Sequence, residues 1–124
     1  MELTPVIPSG RQVIESYGAG GFRVTGILYA RSILVFPDAT LDWPVEGIEA
    51  VTLETLQPVV ERGSTEILLL GCGTRMTPVP AALRQALKAT GISLDSMDTG
   101  AACRTYNVLL AEDRRVAAAL LRLG

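Results

Sequence analysis

Apolar residues recur along this chain in three rhythms, and each predicts a different element. Phe22, Val24 and Gly26 alternate with Arg23 and Thr25, the period-2 pattern of a strand with one wet face. Residues 12–17 before them, and Ile27–Tyr29 and Ile33–Phe36 after them, are further short strand candidates. The glycine-rich turn at 18–21 and the link Ala30, Arg31, Ser32 are all that separate these runs. Links this short force neighbouring strands to pair, so residues 12–36 read as an antiparallel β meander. The second rhythm is the absence of alternation. Ile67, Leu68, Leu69 and Leu70 need cover on both faces, which is typical of a parallel strand beneath helices. The third is helical: Val79, Ala82, Leu83, Ala86 and Leu87 repeat at i, i+3, i+4, i+7 and i+8, with Pro78 and Pro80 at the start and Gly91 at the stop.

The remaining segments fit around these. Residues 1–11 hold Pro5, Pro8 and Gly10 and read as an irregular lead-in. Residues 37–47 read as a loop carrying Trp43, which either plugs the edge of a small core or offers a binding platform. A short helix is expected from a Thr55 cap, with Pro58 in its first turn, Leu56, Val59 and Val60 buried, and Gly63 as its stop. Ile92, Leu94 and Ser96 read as a strand, making residues 65–96 a βαβ unit. Asp98 or Thr99 caps a further helix with Tyr106 and Leu109 or Leu110 towards the core, while Arg104, Asn107 and Ala111 share another face. Residues 116–121 read as a last strand inserted in the sheet. The whole chain, 1–124, is expected to be one domain.

In such a sheet ligands bind outside the carboxyl ends of the strands, here residues 71–74 and 97–100. Gly71, Cys72 and Gly73 form a Gly-x-Gly turn whose backbone N–H groups could face an anion. The third glycine of a dinucleotide fingerprint is missing, since Met76 stands in its place, and no Gly-Lys-Ser/Thr follows. A tight strand-to-helix turn is the simpler reading. Thr74 and Thr99 flank this turn in the expected fold. Arg104 could clamp a carboxylate or phosphate, or hold its own loop. Tyr106 reads as core with its hydroxyl satisfied, and Asn107 as a local hydrogen-bonder. Cys72 and Cys103 fall on segments predicted to meet, so a thiol pair is conceivable.

Composition narrows the chemistry. The 124 residues are 48% hydrophobic and 19% charged, enough to bury a core and far from the signature of disorder. Net charge is −2 with no basic run, which argues against nucleic acid as a partner. No apolar stretch approaches the roughly 18 residues that span a bilayer and no leader is evident, so a soluble, cytoplasmic protein without membrane insertion is expected. The chain has no histidine and two cysteines. That removes the commonest general base and most zinc sites, and no cofactor is expected.

The order of a meander, a loop Trp, an apolar strand ending in Gly-x-Gly, an amphipathic helix and a short strand is followed by Met97, Asp98, Thr99, Ala102, Cys103, Arg104, Thr105, Tyr106 and Asn107. Glu112, Arg114 and the apolar run 116–121 complete the pattern. This pattern resembles the uncharacterised small-domain family that includes NADH dehydrogenase (complex I) assembly factor 3. The resemblance spans nearly the whole chain. It implies a three-layer α/β fold with a mixed central sheet and a last strand antiparallel to its neighbours. For mitochondrial relatives it implies a non-enzymatic role in building respiratory complex I, while bacterial relatives have no established activity. Cys72 stands where that family usually has Thr, and Arg122 where it commonly has Pro. The expected role is therefore a bacterial-type accessory protein that binds complex I subunits or assembly intermediates, with homo-oligomerisation left open. The alternative is a small-molecule-binding or enzymatic domain. In either case Gly71, Cys72, Gly73, Thr74, Thr99, Cys103, Arg104, Tyr106 and Asn107 form the candidate pocket or interface.

Overall fold

A computed structural model describes residues 10–124; most of the expected irregular lead-in, 1–11, lies outside the described residues. The element order is β1 (Ile14–Gly18), β2 (Gly21–Val24), β3 (Ile27–Tyr29), β4 (Ile33–Phe36), β5 (Ala39–Asp42), a 3-10 turn (Ile48–Ala50), α1 (Gln57–Arg62), β6 (Ile67–Gly71), α2 (Ala81–Ala89), β7 (Ser93–Met97), α3 (Thr99–Ala111) and β8 (Val116–Leu120). The strands form two sheets, β1-β2-β3 and β5-β4-β8-β6-β7.

The five-stranded sheet is the middle of three layers. Its three central strands alternate between two cores. Leu34, Phe36, Leu68, Leu70, Ala117 and Ala119 face one side, where α1 and α2 add Val59, Leu83 and Leu87. Ile33, Val35, Leu69, Val116, Ala118 and Leu120 face the other, where α3 and the small sheet add Tyr106, Leu110, Ile14, Phe22 and Val24. A strand buried on both faces gains about 1.5–3 kcal/mol per large apolar side chain, which is why the uninterrupted run of β6 occupies the interior.

Three expectations about the strands need correction. The meander stops at β3: Ile33–Phe36 is paired with β5 and β8 instead of β3. All four of its residues are apolar and buried, and an outer sheet with one wet face cannot cover both sides of such a strand. Second, the loop at 37–47 contains β5, which pairs with β4 from Ile33↔Asp42 to Phe36↔Ala39. Its residues are half-buried or exposed, so no apolar rhythm marks it. Third, β8 runs antiparallel to β4 but parallel to β6. A helical crossover returns the chain to the starting edge of the sheet, so β8 after α3 must run with β6 and β7.

The helix at 57–62 starts one residue later than a Thr55 cap requires. Thr55 and Thr52 instead bond one another: Thr52 N–H donates to Thr55 Oγ1 at 3.0 Å, and Thr55 N–H to Thr52 Oγ1 at 3.2 Å. Leu56 is the cap residue and Pro58 lies in the first turn. Trp43 is the plug: it is 2% exposed, and its Nε1–H donates to Thr55 O at 2.8 Å.

Candidate functional site

The carboxyl ends of β6 and β7 lie side by side, Gly71 opposite Met97. From there β6 leads to α2 on one face of the sheet and β7 to α3 on the other. Such a divergence is where open α/β sheets form a ligand crevice. Here hydrogen bonds stitch it together. Cys72 N–H donates to Met97 O, and Thr99 N–H to Gly73 O, both at 2.8 Å. Gly73 N–H donates to Thr99 Oγ1 at 2.8 Å. The Thr99 hydroxyl donates onward to Leu121 O at 2.9 Å, and Leu121 N–H donates to Gly71 O at 3.0 Å. One fully buried hydroxyl thus ties the ends of β6, β7 and β8 together. The N–H groups of Cys72 and Gly73 that an anion would require are engaged by the protein itself. The approach is close, since a Cβ on Gly71 would stand 3.0 Å from Thr99 Cα. Thr74, one residue further, is exposed.

The start of α3 is built just as tightly. Asp98 accepts from Ala101 N–H at 2.8 Å as its N-cap, satisfying an amide that the helix leaves unpaired. Tyr17 of β1 lies over Gly100, where a Cβ would come within 2.8 Å of its hydroxyl oxygen. Arg104, one turn on, donates to the Tyr17 hydroxyl from the exposed side.

Tyr106 and Asn107 bind the small sheet to α3. The Tyr106 hydroxyl donates to Gln12 O at 2.9 Å, and its ring is fully buried. Asn107 does not share the outer face of Arg104 and Ala111, nor does it bond locally. It joins Cys103, Tyr106 and Leu110 on the buried stripe, because the small sheet covers that flank of the helix. Its Oδ1 accepts from Ile14 N–H at 3.1 Å and its Nδ2 donates to Ile14 O at 2.7 Å. The carboxamide therefore replaces a neighbouring strand along the edge of β1.

The two thiols do not form a pair. Both are free and buried, but Cys72 packs in the α1–α2 core and Cys103 in the α3 core, with the sheet between them. The single Cys72 Sγ–H proton has two carbonyls in reach, Thr77 O at 3.5 Å and Leu70 O at 3.7 Å. Burial pushes the Cys103 thiol up to about 12, with Arg104 pulling weakly the other way. Burial likewise raises the Tyr106 phenol well above its ordinary value. Neither group is poised as a nucleophile or base near neutral pH.

A concavity of about 550 Å³ lies alongside, at the carboxyl end of β8, lined by Arg31, Asp42, Trp43, Val45, Glu46 and Arg122 among others. None of the residues 71–74, 99 or 103–107 lines it. Among the described residues no group of three or more His, Cys, Asp or Glu is placed to hold a metal ion. No helix among them is long and apolar enough to cross a membrane.

The family model described as "Protein of unknown function (DUF498/DUF598)" matches residues 14–121, from the first residue of β1 to the carbonyl that Thr99 grips. The chain belongs to this family. An uncharacterized protein of Rhodobacter capsulatus is 36% identical over 113 residues, covering 91% of this chain and 86% of its own. NADH dehydrogenase [ubiquinone] 1 alpha subcomplex assembly factor 3 of Danio rerio is 35% identical over 114 residues, covering 91% of this chain. The chain spans 66% of that assembly factor and 59% of its human counterpart. Among solved structures, one described as an outer membrane protein from Bartonella henselae superposes with a TM-score of 0.85 at 41% identity, over 93% of this chain and 98% of its own.

Within this DUF498/DUF598 chain, sequence reasoning found the α3 residues but missed their partners. Gln12, Ile14, Tyr17 and Leu121 supply the opposite half of the bonds made by the side chains of Tyr106, Asn107, Arg104 and, through its donated proton, Thr99. Tyr17 alone left a trace, as an aromatic residue directly before a glycine-rich turn. Backbone partners such as Ile14 leave none.

Proposed function

We propose that this chain is a non-enzymatic accessory protein that binds a protein partner during assembly of respiratory complex I. The observation that carries this reading is the 35% identity to an NADH dehydrogenase assembly factor over 91% of the chain. The local chemistry supports it. The thiol and phenol of α3 are buried and held protonated, and the backbone amides of the Gly-x-Gly turn are engaged.

In this reading Gly71, Cys72, Gly73, Thr99, Cys103, Tyr106 and Asn107 form a rigid frame. The partner meets the outer flank of α3 and the exposed turn after β6. Arg104 there presents its charge beside Tyr17, Val108 is 55% exposed, and Thr74 and Met76 extend the surface. Rigid elements displaying a few exposed apolar and arginine side chains suit a protein contact.

The test is affinity capture of the tagged protein from its native cells, beside Arg104→Ala, with the thermal midpoint of both proteins as a fold control. Complex I subunits are expected with the parent protein and depleted with the variant. A deletion strain that keeps normal complex I abundance and activity would overturn the assembly role.

A further inference from the structure

Two sheets present four outer edges, and three of them are blunted. The β1 edge is closed by Asn107, which bonds both backbone groups of Ile14. On β7, Arg84 donates to Leu94 O, and Asp95 adds a charge to the strand. On β5, Asp42 is ion-paired with Arg31 at 3.2 Å, and the Thr40 hydroxyl donates to Gln12 Oε1 at 2.7 Å. These are the devices by which proteins avoid edge-to-edge pairing. The fourth edge, β3, has none of them. Its three residues, Ile27, Leu28 and Tyr29, are uncharged. Ile27 and Leu28 are 58% and 57% exposed. Among the described residues, no hydrogen bond reaches its outer side.

The geometry of that edge follows from the hairpin. Thr25 and Gly26, with φ of 44° and 84°, form a two-residue turn of the type that requires positive φ at both positions. The flanking pair Val24↔Ile27 therefore exchanges hydrogen bonds across the hairpin. Because backbone groups alternate sides along a strand, Leu28 directs its N–H and C=O outward. The side chains of Ile27 and Tyr29 share the face of their cross-strand partners Val24 and Phe22, which are buried.

We propose that the chain forms a symmetric dimer by antiparallel pairing of β3 with β3 of a second copy, centred on Leu28. The sequence of the strand is self-complementary in this register. The two Leu28 residues exchange both backbone hydrogen bonds across the two-fold axis, the isologous arrangement of cyclic dimers. Ile27 then stands opposite Tyr29 of the second copy, a β-branched and aromatic pair of the kind that stabilises antiparallel sheets. Two residues further, beyond Gly26 opposite Ala30, Thr25 stands opposite Arg31 of the second copy. That guanidinium exchanges its exposed Asp42 partner for the Glu15 carboxylate of the other copy, which already accepts from Gly26 N–H at 2.7 Å. Opposite charges thus meet at both ends of the seam, and no like charges face each other along it. The two small sheets become one of six strands, and the α3 flank stays open for a different partner.

The test is sedimentation velocity over a dilution series of the whole chain, with residue-resolved hydrogen exchange at the same concentrations. The parent protein is expected to dimerise, with Leu28 N–H protected in the dimer and released on dilution. Leu28→Lys sets two ammonium groups against each other on the axis at an exposed position, and is expected to yield monomer with the thermal midpoint of the diluted, monomeric parent. Arg31→Glu, which brings a second carboxylate to Glu15, is expected to weaken the dimer without abolishing it. A parent protein that stays monomeric at every concentration overturns the proposal, as does a dimer indifferent to Leu28→Lys. So does a Leu28 amide whose protection is independent of concentration, since its edge is then occupied within one chain.

Discussion

A leucine at position 107 would match the branching and heavy-atom count of asparagine and suit a stripe shared with Cys103, Tyr106 and Leu110. What it would lack is the pair of hydrogen bonds to Ile14. Removing them strands a buried donor and a buried acceptor, each costing about 1–3 kcal/mol. Asn107→Leu is therefore expected to destabilise the protein by about 3 kcal/mol in denaturant unfolding. Asn107→Asp keeps only the accepting half and buries a carboxylate, so it should be at least as damaging; a loss below about 0.5 kcal/mol for either would show that the edge bonds carry little weight. The same residue marks the limit of what the sequence reveals about the site. The run from Thr99 to Asn107 is conspicuous because it sets polar groups among small and aromatic residues, and its chemistry suggested a pocket or interface. The structure assigns several of those polar groups inward, to backbone atoms of β1 and to the chain after β8. Helical periodicity gives the angle between residues on α3. It does not say which flank the small sheet will cover, and so it could not separate Asn107 from Arg104.

At the level of elements, the strongest apolar rhythms were reliable. The amphipathic pattern at 79–87 marked α2, which begins at Ala81 after Val79 and buries Leu83 and Leu87, and the uninterrupted run at 67–70 became a strand with a core on each face. The weaker patterns failed for physical reasons. β5 has no apolar alternation to read, and pairing across a link of three residues does not follow when the next strand needs two covered faces. β8 shows how much an inserted strand depends on its neighbours. Val116, Ala117, Ala118, Ala119 and Leu120 are all buried, and the three alanines leave room for helices on both sides of the sheet. Ala118 sits opposite Val35 and Leu69 in the core beneath α3. Lengthening it should push α3 off the sheet. Ala118→Leu is expected to cost about 2 kcal/mol, within the range for overpacked cores, and to broaden the amide resonances of α3 more than those of α2. Equal broadening in both helices would mean that the two faces are not independently packed.

For the molecule as a whole, the missing histidine and the buried acids of α3 shape the response to pH. The chain has no histidine, the side chain whose ordinary range falls near neutrality, so stability is expected to be flat there. Alkali is different. The Cys103 thiol is raised by burial from 9.0 to about 12, and the Tyr106 phenol is raised from 10.0 by the same cause. In the unfolded chain both groups lose their protons near their ordinary values, while the folded chain retains them. The unfolded state then binds fewer protons than the native state, so stability falls as pH rises. The loss should begin near pH 9.0, where the unfolded thiol ionises, and continue to about 12, where the folded thiol also does. Removing the thiol with Cys103→Ala is expected to delay the onset to about pH 10, where the unfolded phenol of Tyr106 takes over. The thermal midpoint measured across this range, with ultraviolet absorbance reporting thiolate and phenolate, provides the check. A native protein whose Cys103 absorbs as thiolate at pH 10 would mean that solvent reaches beneath α3. The frame assigned to Thr99, Tyr106 and Asn107 would then be looser than their hydrogen bonds require.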